Sequence, residues 1–236
     1  FGICVEKGSE LPKEDERRKY KYRVVFQGNQ VVNQNWDAAL CQDLGSSPAS
    51  MEASKIADMY ACLPGNSTQQ ADARQAYIQA PMLGTPTWAW IPPHIWERYA
   101  PKHMKVARMR KPVVQLKKAL YGHPASGHIW VTIRLAGWLS RSGWTSSTID
   151  PALWIKGQCL LLTHVDDLSF AGPPIEAESF WKSFTKEFHC DTDPAPGEAF
   201  VGIGLQFECT AKDRSTFLYM PEYVDYIIGK YEEVWG

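Results

Sequence analysis

Two aspartates, Asp166 and Asp167, stand side by side directly after the apolar run 159–165, and a third, Asp72, follows the short segment 68–71. Adjacent like charges at the end of an apolar stretch are costly unless something neutralises them. A divalent cation does so. Magnesium in particular takes oxygen ligands, few of them from protein, and leaves its remaining positions to phosphate and water. Where two such ions sit about 3.5–4 Å apart, they clamp the attacking and leaving oxygens of an in-line displacement at phosphorus, and the carboxylates that hold them must converge from different chain segments. Asp166 and Asp167 at a hairpin tip, with Asp72 on a neighbouring strand, would meet that requirement. Plainer readings stay open at this point: Asp-Asp is also a common polar turn, and an aspartate that ends a strand often just caps the next helix.

Other chemistries have weaker support. The six cysteines, Cys4, Cys41, Cys62, Cys159, Cys190 and Cys209, contain no Cys-x-x-Cys pair, so neither a zinc site nor a disulfide framework is expected, and reduced thiols in an intracellular protein are. His123 and His128 are five apart, off the spacing that puts two ligands on one helix face. A net charge of −1 argues against coating nucleic acid by bulk electrostatics. Local clusters matter more: Lys13, Arg17, Arg18, Lys19, Lys21 and Arg23 form one, diluted by Glu14, Asp15 and Glu16. Lys102, Lys105, Arg108, Arg110, Lys111, Lys117 and Lys118 form another. Either could follow a phosphate track or merely keep a surface solvated.

The elements that would position the carboxylates follow from periodicity. Residues 20–27 alternate as a strand, which puts Lys21 and Arg23 on one face and Tyr22 and Val24 on the other. A helix is expected from Ser47, with Pro48 in its first position and Ile56, Met59, Tyr60 and Leu63 at helical spacing, until Pro64 and Gly65 stop it. After Asp72, a turn or helix start is expected at Ala76, Tyr77 and Ile78. Residues 88–112, rich in Trp, Pro and basic residues, read as connector with short strands. A second helix is expected over 126–139, burying Ile129, Trp130, Ile133 and Ala136, and a third over 176–188 with Phe180, Trp181, Phe184 and Phe188 on one stripe. Between them, two apolar strands meet at Asp166 and Asp167. A further strand is expected over 200–207 and a terminal helical segment from Pro221.

Several segments together carry a family resemblance. "HVDDLSFAG" resembles the Tyr-x-Asp-Asp hairpin of reverse transcriptases, and "QQADARQAYIQA" is similar to the copia-type pattern in which an aspartate opens Asp-x-Lys-Thr-Ala-Phe. "GWTSSTIDPALWIK", "VVQLKKALYG", "YKYRVVFQGN" and "FVGIGLQFE" resemble further segments of the same family, in the same order, from about residue 20 to residue 207. The chain therefore resembles the polymerase domain of copia-type retrotransposon reverse transcriptases. The resemblance implies an α+β right-hand polymerase: palm and fingers interleaved over 1–236, an antiparallel palm sheet with flanking helices, and a truncated thumb beginning near 221–236.

It also implies RNA-directed DNA synthesis on a primed RNA or DNA template from deoxynucleoside triphosphates, with two Mg2+ ions, or Mn2+ as substitute, held by Asp72, Asp166 and Asp167. Lys21 and Arg23 would face the incoming triphosphate, backbone amides of Ala73, Arg74, Gln75 and Ala76 would cradle phosphate, and Tyr77 would pack beneath the sugar. The chain departs from the family pattern where His164 replaces the hairpin tyrosine, Gln27 an arginine and Ala125 a glutamine expected to touch the nucleotide, and where "HPASGHIW" lacks the Lys-Gln-Ala-Pro-Arg of many relatives. A decayed copy that keeps the fold and binds nucleic acid is the alternative reading. A purely structural or interaction domain, which the Trp-rich connector would suit, is a third.

With 44% hydrophobic residues the chain can bury a sizeable core. No apolar run approaches the roughly 20 residues needed to cross a bilayer, so no membrane partner is expected. The opening from Phe1 has no leader pattern, and a cytoplasmic piece of a longer polyprotein is expected, with integrase and ribonuclease H segments elsewhere.

Overall fold

The computed structural model describes residues 1–9, 11–39, 49–100, 109–190, 195–196, 198–201, 205–210, 215–219 and 221–235. The chain divides into two units, Phe1–Gly45 with Tyr77–Thr132, and Ser46–Ala76 with Ile133–Gly236. Lys102, Lys105, Arg108, Ser47 and Pro48 lie outside the described residues.

In the first unit, β1 (Gly2–Lys7) and β2 (Lys19–Val24) form an antiparallel ribbon in which Lys21 stands opposite Val5 and Arg23 opposite Ile3. Tyr20 and Tyr22 occupy the other face, as the alternation requires. Where the chain leaves β2, the Phe26 N–H donates to the Tyr121 carbonyl at 2.7 Å, and the two backbones run so close that a Cβ on Gly28 would lie 2.1 Å from the Gly122 oxygen. Only glycine tolerates that approach. Ser126, fully buried, stitches the following turn by accepting from the Leu120 N–H and donating to its carbonyl.

The centre of the second unit is an all-antiparallel sheet. It contains β3 (Ser67–Asp72), β6 (Thr145–Ser146), β7 (Leu153–Lys156), β8 (Cys159–His164), β9 (Asp167–Gly172) and the short β10 (Ala195–Pro196), in the order β10-β3-β9-β8-β7-β6. Its two faces are covered differently. On one, Leu161, Leu168 and Phe170 are fully buried beneath α5 (Pro174–Glu187). Phe170 stacks on Phe180 at 5.6 Å, and Trp144 meets both rings edge-on at 6.2 and 5.4 Å. The predicted stripe Phe180, Trp181, Phe184 and Phe188 is buried throughout. Aromatic pairs of this kind add about 0.5–1.5 kcal/mol each beyond the area they bury.

The other face takes α1 (Met51–Ala61), and here the expected stripe is wrong. Ile56, Met59 and Leu63 are exposed, and Ala53, Ser54, Ala57, Asp58 and Ala61 are buried. Alanines four apart make a flat strip that lets the helix lie close on Leu153, Leu162 and Ala171, so packing distance overrode hydrophobic bulk. The helix also begins later than predicted: its N-cap is Ser50, whose Oγ accepts from the Ala53 N–H at 3.1 Å.

The second helix runs as α3 (Ser126–His128), a π-helical stretch over Ile129–Leu135, and α4 (Ala136–Arg141). The wider π turn advances the buried face from Trp130 to Leu135, which leaves Ile133 43% exposed where a regular helix would have buried it. The single strand expected over 200–207 is instead two strands, β11 (Glu198–Val201) and β12 (Leu205–Thr210), paired with each other and followed by β13 (Ser215–Tyr219). Their register is a hairpin, which no alternation pattern distinguishes from one long strand. The terminal helix α6 (Pro221–Trp235) forms as expected. The connector contributes β4 (Trp88–Trp90), α2 (Pro93–Tyr99) and β5 (Val113–Gln115), all in the first unit. No helix among the described residues is long and apolar enough to cross a membrane.

One buried group opposes folding. Asp58 is 4% exposed, its Oδ2 has no hydrogen-bond partner, and burial pushes its carboxyl up to about 6. Because the folded value lies above the unfolded one, the native state keeps a proton that the unfolded chain releases. Stability is therefore greatest below the unfolded value and falls as pH rises through about 6, by on the order of 3 kcal/mol. Asp58→Asn should stabilise the protein by a similar amount in urea denaturation at about pH 8 and by little at about pH 4. Equal effects at the two pH values would refute the assignment.

Candidate active site

β8 and β9 are joined by the two-residue turn Val165-Asp166, so His164 and Asp167 face each other across its mouth. Val165 has φ 59° and Asp166 does not share it, the pattern of a turn with positive φ at its first central residue. Glycine is the usual occupant there. A β-branched residue held in that region is strained by about 1–3 kcal/mol and persists only where its surroundings over-determine it.

Those surroundings are the neighbouring strand. β3 pairs with β9 so that Ala71 meets Leu168 and Asp72 meets Asp167. Directly opposed residues of an antiparallel pair project from the same face with Cβ atoms about 4.5–5.5 Å apart. The Ala73 N–H then donates to the Asp166 carbonyl at 2.7 Å, continuing the pairing past the strand end. The register thus sets Asp72, Asp166 and Asp167 at the same end of adjacent strands, with His164, Asp167 and Asp72 in a row across three strands. All three aspartates are half-buried. Burial, and then the charge of Asp166, push the Asp167 carboxyl above its ordinary value, and His164 partly offsets them. In the sequence His164 stands out only as a departure from a motif, although its place across a two-residue turn from Asp167 is legible in the spacing.

The donors are all carboxylate oxygens, the type a hard divalent cation takes, and the burial and neighbouring Asp166 charge that raise Asp167 are both costs that a bound cation would offset. By residue type and register the three aspartates fit such an ion. As they stand, no group of three His, Cys, Asp or Glu side chains among the described residues could hold a metal, so binding would have to draw the carboxylates together.

The phosphate cradle needs correction. The Ala73 N–H is engaged by Asp166, and the Arg74 N–H donates to the His189 carbonyl at 2.8 Å. Of the other two residues expected there, Gln75 is exposed at φ 50° and Ala76 is buried. Lys21 and Arg23 belong to the first unit, exposed on one face of the β1–β2 ribbon. Tyr77 also belongs to the first unit. It lies in the 3-10 turn Ala76–Gln79, half-buried, with its ring 4.7 Å from that of Tyr121.

The chain matches no protein-family model and no curated protein. Among solved structures it is weakly similar to the telomerase from Candida albicans in complex with a fragment of telomeric RNA, with a TM-score of 0.35 and 11% identity. The match covers 70% of this chain and 34% of that one. The chain therefore spans about a third of that protein's length.

One residue to which the sequence assigned no role joins helix to sheet. Asp150 is buried, and its carboxylate accepts from the Ser50 N–H at 2.8 Å and the Ala152 N–H at 2.9 Å, fastening the start of α1 to the strand β7. Burial raises its carboxyl, but the hydrogen bonds from Ser50 and Ala152 outweigh that and leave it below the ordinary value. This contribution to stability is present above the unfolded carboxylate value and disappears as pH falls through the folded one.

The turn geometry makes a direct prediction. Val165→Gly should keep the stability or raise it by up to about 1 kcal/mol, where deleting a valine side chain normally lowers it. Thermal unfolding followed by circular dichroism measures this, and a loss above about 1 kcal/mol would mean that the turn is unstrained.

Proposed function

We propose that the chain is the polymerase portion of a copia-type retrotransposon reverse transcriptase, adding deoxynucleotides to a primer on an RNA template. The observation that carries this reading is the register that sets Asp72 opposite Asp167 with Asp166 in the adjoining turn. In this reading the antiparallel sheet with its flanking helices is a palm, the first unit supplies fingers, and α6 opens a thumb. Asp72, Asp166 and Asp167 would hold two Mg2+ ions, or Mn2+ in their place. When bound, the ions neutralise charge at the reacting phosphate and lower the pKa of the attacking hydroxyl.

The chain's own residues bind and orient. Lys21 and Arg23 pair with the triphosphate of the incoming nucleotide, and the Gln75 and Ala76 amides donate to its oxygens. Tyr77 lies against the sugar, where a ring leaves no room for a 2′-hydroxyl, so selection rests on a clash rather than an attraction. The protein would work in the cytoplasm, with integrase and ribonuclease H supplied by other parts of the polyprotein. A second reading, a remnant that binds nucleic acid without catalysis, is favoured by the dispersed carboxylates and by His164, Gln27 and Ala125.

Primer extension on an RNA template with Mg2+ separates the two. The parent should extend the primer, and Asp166→Asn should abolish extension while leaving the melting curve unchanged, because amide and carboxylate are nearly isosteric but only the carboxylate neutralises a cation. No extension by the parent, with nucleic acid still bound, would select the remnant.

Tyr77→Val should raise the ratio of ribonucleotide to deoxyribonucleotide incorporated on one template. An unchanged ratio together with a stability loss of about 2–5 kcal/mol would make Tyr77 a packing residue against Tyr121.

A further inference from the structure

The first unit carries an aromatic surface that the carboxylate site does not explain. Trp88 and Trp90, alternate residues of β4, project from one face of the β4–β5 ribbon and are 58% and 55% exposed. Their cross-strand partners are Gln115 and Val113. Tryptophan is the side chain with most to gain from leaving water, and two adjacent indoles left bare mark a surface with an occupant.

The surrounding charge says what kind. Arg110 and Lys111 precede β5, and Lys117 and Lys118 follow it. All four are exposed, and none forms an ion pair among the described residues. No acidic residue occurs between 109 and 118. Lys117 is placed beside the rings, because its Nζ donates to Gln115 Oε1 at 2.6 Å and Gln115 stands directly opposite Trp88. Bare indoles next to cations without an acidic partner suit a ligand with flat apolar faces and a regularly spaced negative charge. Side chains at alternate positions of a strand stand about 6.6–6.8 Å apart, twice the roughly 3.4 Å between stacked bases. One base can therefore enter between the rings in van der Waals contact with both. Only an unpaired base can do so, since a base in a duplex has both faces covered.

We infer that the Trp88–Trp90 face of the β4–β5 ribbon is a stacking platform for single-stranded nucleic acid, with the cations flanking β5 holding its phosphates. The inference rests on the polymerase reading only for its biological use, as a hold on the unpaired template. The binding itself needs neither the carboxylates nor a divalent ion.

The test is fluorescence anisotropy of a labelled 20-nucleotide single strand in EDTA, with the whole chain. Trp88→Ala/Trp90→Ala should weaken binding tenfold or more at fixed salt while leaving the slope of log affinity against log salt unchanged. Lys117→Ala/Lys118→Ala should weaken binding and flatten that slope by about 0.7 for each phosphate that is no longer neutralised. On the parent protein, an abasic strand of equal length, with the same phosphates and no bases, should bind at least tenfold more weakly than the normal strand. Equal binding of abasic and normal strands would overturn the platform even if the tryptophan variant failed to fold. So would equal affinity for the matching duplex. Self-association of the parent that the tryptophan variant abolishes, with strand binding untouched, would make the face a protein interface instead and also overturn it. Loss of primer extension with intact strand binding would count against the polymerase reading alone.

Discussion

The alignment of β3 on β9 is the constraint on which the candidate site depends. Side chains alternate with a period of two along a strand, so a slip of one residue would send Asp72 to the face that α5 covers and bring Ala71 round beside Asp167. What prevents the slip lies away from the carboxylates. Phe170 and Leu168 are fully buried against the aromatic cluster of α5, and Ala171 lies under α1. With one face demanding large rings and the other demanding alanine, β9 fits in only one way, and β3 follows it through the hydrogen-bond ladder. The apolar core therefore positions the acids without touching them.

Groups around this frame are held where they oppose folding. Asp167 is kept half-buried beside Asp166, Val165 is held at positive φ between two strands, and Asp58 is sealed beneath α1 without a partner for Oδ2. Each costs stability on its own. The first two lie at the mouth of one hairpin, where strain and crowded charge commonly mark a working site. Asp58 lies in the middle of α1 and has no comparable explanation in the geometry.

Other residues in the segments that carry the family resemblance turn out to be structural. Gly28 and Gly122 permit two backbones to cross closer than any Cβ allows, and Asp150 ties the first turn of α1 to β7 through two backbone N–H groups. Such positions are as restrictive about residue type as a ligand would be, for steric or hydrogen-bonding reasons. A motif read as chemistry can thus consist largely of joints. In the segment after Asp72 the same holds for Ala73 and Arg74, whose amides close the structure and are spent in doing so.

By itself the sequence determined the elements whose period is strong and local: the β8–β9 hairpin with acids at its tip, the aromatic stripe of α5, the alternation of β2 and the terminal helix α6. Each of these is decided by neighbours within a few residues, which is why period alone sufficed. The tertiary structure decided whatever depends on partners distant in the chain. It buried the alanine strip of α1 rather than Ile56 and Met59, because helix-to-sheet distance is set by the sheet. It shifted the buried face along the second helix through a π turn, and it folded the strand expected over 200–207 into a hairpin. It also set Asp72 opposite Asp167, since the pairing partner of a strand is chosen by the core it must cover and is not written in the strand's own residues.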